Sequence, residues 1–209
     1  YIKGLLESDI IENTFDDFER EILIPHQMSS FGPGLAYGEA LDQSSKYIFM
    51  GGAQGQASKV LTIDGSGNKQ IQTLGDVDQE SNAALFIDAD KDGDMDLMIG
   101  MAGSEEAVNS EYYTDRFYRN DNGKFVSFDS ALPVDYRSSV SVLRMVDFDM
   151  DGDMDIFVGG RQMPGQYPLP ASSYLLENIS KEGGIQFKLA ASSFNEVLQD
   201  VGMVTDADW

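Results

Sequence analysis

Along most of the chain, apolar residues come in short runs, each closed by glycine, asparagine or aspartate. From Gly32-Pro33-Gly34 onward the runs are Leu35–Tyr37, Tyr47–Met50 and Val60–Ile63. Asp64-Gly65-Ser66-Gly67-Asn68 then forms a tight-turn signal leading into Lys69–Thr73. The order repeats as Ala83–Ile87, Leu97–Ile99, Arg116–Arg119, the turn Asn120–Gly123 and Lys124–Phe128. It repeats again as Val140–Val146, Ile156–Val158, Tyr174–Asn178 and Ile185–Leu189. Runs this short between turn residues predict strands; a helical reading fails because strong turn signals recur too often. Ala83–Ile87 and Ile156–Val158 are apolar at successive positions rather than alternating, which predicts strands covered on both faces.

The repeat has a length. Asp147 follows Asp88 by 59 residues, and Asn178 follows Asn120 by 58. Four short strands per unit predict an all-β fold of β-propeller blades, each of four antiparallel strands. The units fall at roughly 32–80, 81–138 and 139–200, and a further unit begins at 201–209, all within a propeller region spanning 25–209. Known propellers close with about four to eight blades. Three blades plus partial flanking units therefore predict an incomplete propeller, with edges left open or covered by a homodimer. Residues 1–24 mix acidic and apolar positions and read as a lead-in, helical or irregular. Glu21-Ile22-Leu23-Ile24-Pro25 reads as a short strand stopped by proline.

Composition narrows the partners. A formal charge of −22 argues against nucleic acid and anionic membranes, which need a basic surface. There is no cysteine, so neither a disulfide framework nor a thiolate metal site exists. No apolar run approaches the roughly 20 residues needed to span a bilayer. The first residue is Tyr1 and no signal-peptide pattern precedes it, so a processed or excised piece of a longer protein is expected.

The candidate chemistry lies in two strings: Asp88-Ala-Asp90-Lys-Asp92-Gly93-Asp94-Met-Asp96 and Asp147-Phe-Asp149-Met-Asp151-Gly152-Asp153-Met-Asp155. Carboxylates at positions 1, 3, 5 and 9, with a backbone carbonyl at position 7, can wrap a hard cation that takes six to eight oxygens. Glycine at position 6 permits the sharp turn. This assigns Asp88, Asp90, Asp92 and Asp96 by side chain and Asp94 by its carbonyl. In the second loop it assigns Asp147, Asp149, Asp151 and Asp155, with Asp153 by its carbonyl. Calcium, about two ions, is the expected occupant, because magnesium prefers fewer protein ligands and keeps its waters. Position 12 is Ile99 or Val158 instead of a bidentate glutamate, and a strand follows instead of a helix, so neither loop is an EF-hand. In the first unit Tyr47–Gly51 aligns on Asp155–Gly159, and Glu39, Leu41, Gln43, Ser44 and Tyr47 stand where ligands and glycine would. That unit is expected to have lost its metal.

The two aspartate loops, with exits of the Ile156-Phe-Val-Gly-Gly160 kind, resemble the FG-GAP/VCBS repeat family. Leu23-Ile-Pro-His26-Gln-Met28, Gly32-Pro-Gly34-Leu-Ala36, Pro164–Pro170 and Gly202-Met-Val-Thr-Asp206 are similar to bacterial members. The resemblance covers most of 22–209. It implies an integrin-like propeller whose blade loops are rigidified by calcium on one face while partner contacts use other loops. Asp206 and Asp208 are left out of the metal set, because in these relatives Trp209 would sit just before the next loop.

No nucleophile elbow, phosphate loop, zinc spacing or dinucleotide fingerprint is present. His26, the lone histidine, reads as structural, and the sequon Asn178-Ile-Ser180 as chance. The expected function is non-catalytic: a calcium-binding segment of an exported or cell-surface bacterial protein, used in adhesion or recognition of a protein or glycan ligand. The alternatives are the propeller part of a carbohydrate-active enzyme, of the polysaccharide lyase or hydrolase kind, and a purely architectural domain. Loops 161–170 and 103–114 are the candidate contact surfaces.

Overall fold

The computed structural model describes residues 11, 13–75, 78–181 and 184–209. It is all-β, built from three four-stranded antiparallel sheets set side by side. The first holds β1 (Leu35–Glu39), β2 (Ser45–Met50), β3 (Ser58–Asp64) and β4 (Lys69–Leu74). The second holds β5 (Glu80–Ile87), β6 (Asp96–Ala102), β7 (Arg116–Asp121) and β8 (Lys124–Ser127). The third holds β9 (Ser139–Val146), β10 (Asp155–Gln162), β11 (Tyr174–Asn178) and β12 (Phe187–Leu189). Each sheet is a meander, with strands neighbouring in sequence order. The first strands adjoin across sheets, β1 against β5 and β5 against β9. No sheet closes on itself among the described residues. The architecture is an incomplete, propeller-like array.

Packing between sheets explains the continuous apolar runs. Every residue of β6 is buried, because one face meets the first sheet and the other meets the third. Leu97 and Ile99 pack with Phe49, Val60 and Phe86 on one side. Met98 packs with Phe117, Leu143 and Ile156 on the other. Glycines permit the close approach of neighbouring backbones: a Cβ on Gly34 would sit 2.3 Å from the Asn82 carbonyl oxygen.

Successive meander turns alternate ends, so the β1–β2, β5–β6 and β9–β10 loops share one end of the array. The opposite end carries the described part of the lead-in. Its described residues form a short helix, α1 (Asp17–Arg20), capped by the Asp16 carboxylate. Asn13 donates to Gln54 (2.8 Å) and Glu105 (2.6 Å), Arg20 donates to the Ser104 and Glu106 carbonyls, and Glu21 accepts from the Tyr167 amide (2.7 Å). Buried Asp17 accepts from Ser29 and from the Ser104 hydroxyl. This segment therefore touches all three sheets. The strand expected at Glu21–Pro25 is a turn instead, closed by Ile24 N–H to the Glu21 carbonyl at 3.2 Å. Its apolar residues do not form a face, since Ile24 is buried while Ile22 and Leu23 point into solvent. The expectations for 1–10 and 12 lie outside the described residues.

After β12 comes a second helix, α2 (Ser192–Leu198), which contacts β11 of the third sheet. Its Asn195 side chain accepts from Leu175 N–H (2.9 Å) and donates to the Leu175 and Ala190 carbonyls, taking the place of a neighbouring strand. The final stretch runs beside β9 and β10: Val204 N–H reaches the Gly160 carbonyl (3.1 Å), and the Trp209 ring packs edge-on against Phe157. No helix among the described residues is long and apolar enough to cross a membrane.

Candidate metal centres

Each aspartate string forms the loop between the first and second strands of its sheet, and the two loops share one fold. The position-6 glycines take the left-handed conformation expected of them, Gly93 at φ +96° and Gly152 at φ +90°. Lys91 and Met150, at position 4, are also left-handed. Carboxylates stitch the turns to their own backbone. Asp92 accepts from Asp94 N–H (3.0 Å), Asp151 from Asp153 N–H (3.0 Å), and Asp88 from Gly93 N–H (3.2 Å).

One carboxylate oxygen from each of Asp88, Asp90 and Asp92 falls within 4.8 Å of the others, and the same holds for Asp147, Asp149 and Asp151. Both acidic triads could hold a metal ion. The surroundings of the oxygens point the same way. One buried side-chain oxygen on each of Asp88, Asp90, Asp94, Asp147 and Asp153 has no hydrogen-bond donor. Buried polar atoms are normally satisfied, and an orphaned anionic oxygen costs more than a neutral one. Five such atoms converging in two loops fit a cation as the missing partner.

The structure separates the roles within each loop. Asp96 and Asp155, at position 9, are almost wholly buried, and every oxygen on them already accepts a backbone N–H. Asp96 takes those of Asn120 (2.9 Å) and Ala89 (3.2 Å); Asp155 takes those of Asn178 (2.7 Å) and Phe148 (3.1 Å). These residues anchor the loop to the third strand, and neither belongs to the acidic triads. Asp94 and Asp153, expected to act through their carbonyls, each keep one buried side-chain oxygen without a hydrogen-bond donor and lie outside the acidic triads.

In the sequence Asn120 and Asn178 mark only the spacing of the repeat; the structure gives them a further role. Each is buried at the end of its third strand, and its side-chain amide donates to the loop carbonyl just before position 9: Met95 (3.1 Å) or Met154 (3.2 Å). Their matched spacing was the available signal. In the first sheet the loop has no acidic triad, and Tyr47 fills the position-9 site. Its ring stacks on Phe86 at 5.6 Å, and its hydroxyl accepts from the Asn120 amide at 3.1 Å. An open polar groove of about 990 Å³ separates this loop from the first aspartate loop, with Asp42, Asp64, Asn68 and Asp92 on its walls. Asp206 pairs with Arg144 and lies apart from both triads.

Burial pushes several loop carboxyls up: Asp96 to about 7, and Asp94, Asp153 and Asp155 to about 6, with neighbouring aspartates adding to the shift. Buried Asp115, which accepts from Met101 N–H and the Tyr136 hydroxyl, is raised to about 7 by burial alone. A raised folded-state value means that the metal-free fold is favoured below the unfolded value near 4. That stability is lost as pH climbs through 6 to 7. The chelated protein should therefore melt at a higher temperature at about pH 5 than at about pH 8. Saturating calcium should reverse the order, because protons compete with the cation for the same oxygens. Thermal melts at both pH values, with and without chelator, check this.

No family model matches the chain, and no curated protein matches it.

Proposed function

We propose that the chain is a calcium-binding propeller segment of the FG-GAP/VCBS repeat kind, belonging to an exported or cell-surface bacterial protein and working in adhesion or recognition without catalysis. The observation that carries the reading is the set of donor-less buried oxygens in two matching loops. Calcium is favoured over magnesium because each loop carries five aspartates, more oxygen donors than magnesium's rigid, water-rich shell accepts. All ten loop aspartates, Asp88 to Asp96 and Asp147 to Asp155, belong to the proposed sites, with Asp96 and Asp155 doubling as anchors. The recognition surface is assigned to the loop after β10. There Pro168, Leu169 and Pro170 are exposed on a base fixed by the Glu21–Tyr167 hydrogen bond.

Isothermal titration should give about two calcium ions per chain. At calcium concentrations 100-fold above the dissociation constants, each ion contributes about 2.7 kcal/mol. For a chain of this size that raises Tm by roughly 10–20 °C over the chelated protein. Magnesium should give a smaller shift. A heat-free titration, or a Tm indifferent to chelation, refutes the metal reading. Binding to protein and glycan arrays that disappears when 166–170 is replaced by a glycine-serine segment tests the recognition surface.

A further inference from the structure

The two aspartate loops are joined by an unbroken chain of hydrogen bonds, and one side chain stands at its centre. Asp96 Oδ2 accepts from Ala89 N–H (3.2 Å), and Ala89 lies between Asp88 and Asp90 in the first loop. The carbonyl of the same Ala89 accepts from the Asn178 amide (3.0 Å), across the boundary between sheets. That amide also donates to the Met154 carbonyl of the second loop (3.2 Å), and Asn178 N–H donates to Asp155 Oδ1 (2.7 Å). Asn178 is 2% exposed, so its bonds have little competition from water. A single NH2 group therefore grips one backbone carbonyl in each loop.

We propose that Asn178 is a positioning residue for both cation loops and makes the binding of the two ions cooperative. This rests on the metal reading above. A cation drawing Asp88 and Asp90 inward fixes the peptide at Ala89, whose carbonyl holds the Asn178 side chain. Asn178 then presents its backbone N–H to Asp155 and its amide to Met154, so the second loop is ordered before its own ion arrives. Part of the ordering entropy is thus spent once for two sites. Repulsion between the ions opposes this weakly, since each is enclosed by several carboxylates and the filled loops do not meet as bare charges.

The junction between the first and second sheets is a built-in comparison. Asn120 repeats the geometry, with its amide on Met95 and its N–H on Asp96, but across the boundary it meets the Tyr47 hydroxyl instead of a metal loop. Asn120 supports one site; Asn178 supports two.

The test is calcium titration of single-site proteins, since coupling must be reciprocal. Asp149→Asn/Asp151→Asn, which disables the second loop, should weaken calcium binding at the first by roughly fivefold or more. Asp90→Asn/Asp92→Asn should weaken the second site by the same factor. In an Asn178→Ala background, disabling the second loop should leave the first site unchanged, whereas in an Asn120→Ala background the coupling should persist. Should Asn178→Ala fail to fold, Asn178→Ser takes its place, since one hydroxyl hydrogen cannot donate to both carbonyls. Single-site affinities equal to those in the wild type, unequal reciprocal factors, or coupling that survives Asn178→Ala overturn the proposal. A wild-type protein that takes up no calcium overturns the metal reading, and the coupling with it. Two ions bound independently overturn the coupling alone.

Discussion

Phe117→Ala should destabilise the protein by about 3–5 kcal/mol, the cost of emptying a large aromatic site in a packed core. Phe117 lies in β7 with no exposed surface, and its ring meets Phe187 of β12 at 5.7 Å. It therefore sits on the boundary between the second and third sheets, among Met98, Leu143 and Ile156. The β7 backbone is held beside the space, because Phe117 N–H donates to Asp129 (3.0 Å) and its carbonyl accepts from Phe128 N–H (2.7 Å). Urea unfolding should show a lower midpoint at an unchanged slope, and Tm should fall by roughly 6–20 °C. Phe117→Leu should lose less than half as much, since it keeps most of the volume. The number of calcium ions bound should not change, because β7 meets the loops only at its far end, through Asn120. A loss below 1 kcal/mol would mean that the sheets do not depend on one another for stability.

The strands were legible in the sequence where packing is two-sided. Leu97–Ile99 and Ile156–Val158 are apolar without alternation because sheets lie on both faces, and no other common element asks for such a short, bounded run. The turn Asp64–Asn68 was legible for a different reason. The Asp64 carboxylate accepts from Ser66 and Asn68 N–H, chemistry that the side chains themselves dictate. Elements that depend on distant partners were not legible. Glu21–Pro25 has strand-like composition but turns, held by Ile24 N–H on the Glu21 carbonyl and by the distant Tyr167 N–H on the Glu21 carboxylate. The helix Ser192–Leu198 is too short to show a period, and what fixes it is Asn195 reaching across to Leu175. The loops divide in the same way. Ligand-type residues and glycines follow a local rule and could be read off, whereas the split between open ligands and anchors could not. It depends on Asn120 and Asn178, which arrive from strands more than twenty residues downstream.

Asp155→Ala tests that split, and its expected loss is about 3 kcal/mol or more in calcium-saturated protein. The side chain has no exposure and accepts two backbone N–H groups, that of buried Asn178 at 2.7 Å and that of half-buried Phe148 at 3.1 Å. Truncation leaves both donors without an acceptor, at about 1–3 kcal/mol each, and removes one carboxylate from the proposed cation site. Without calcium the loss should be smaller but still present. Burial and the repulsion of Asp149 and Asp151 raise the Asp155 carboxyl to about 6, so at neutral pH deleting the charge relieves part of what deleting the acceptor costs. Asp149→Ala is the contrast. That carboxylate is exposed and accepts from Asp151 N–H within its own turn. Its loss should weaken calcium binding while shifting the chelated protein by no more than about 0.5 kcal/mol. Urea midpoints for both variants, each with calcium and with chelator, separate the roles. If Asp155→Ala matches the wild type once calcium is removed, Asp155 is a ligand alone, and the hydrogen bonds to Asn178 and Phe148 do not anchor the loop.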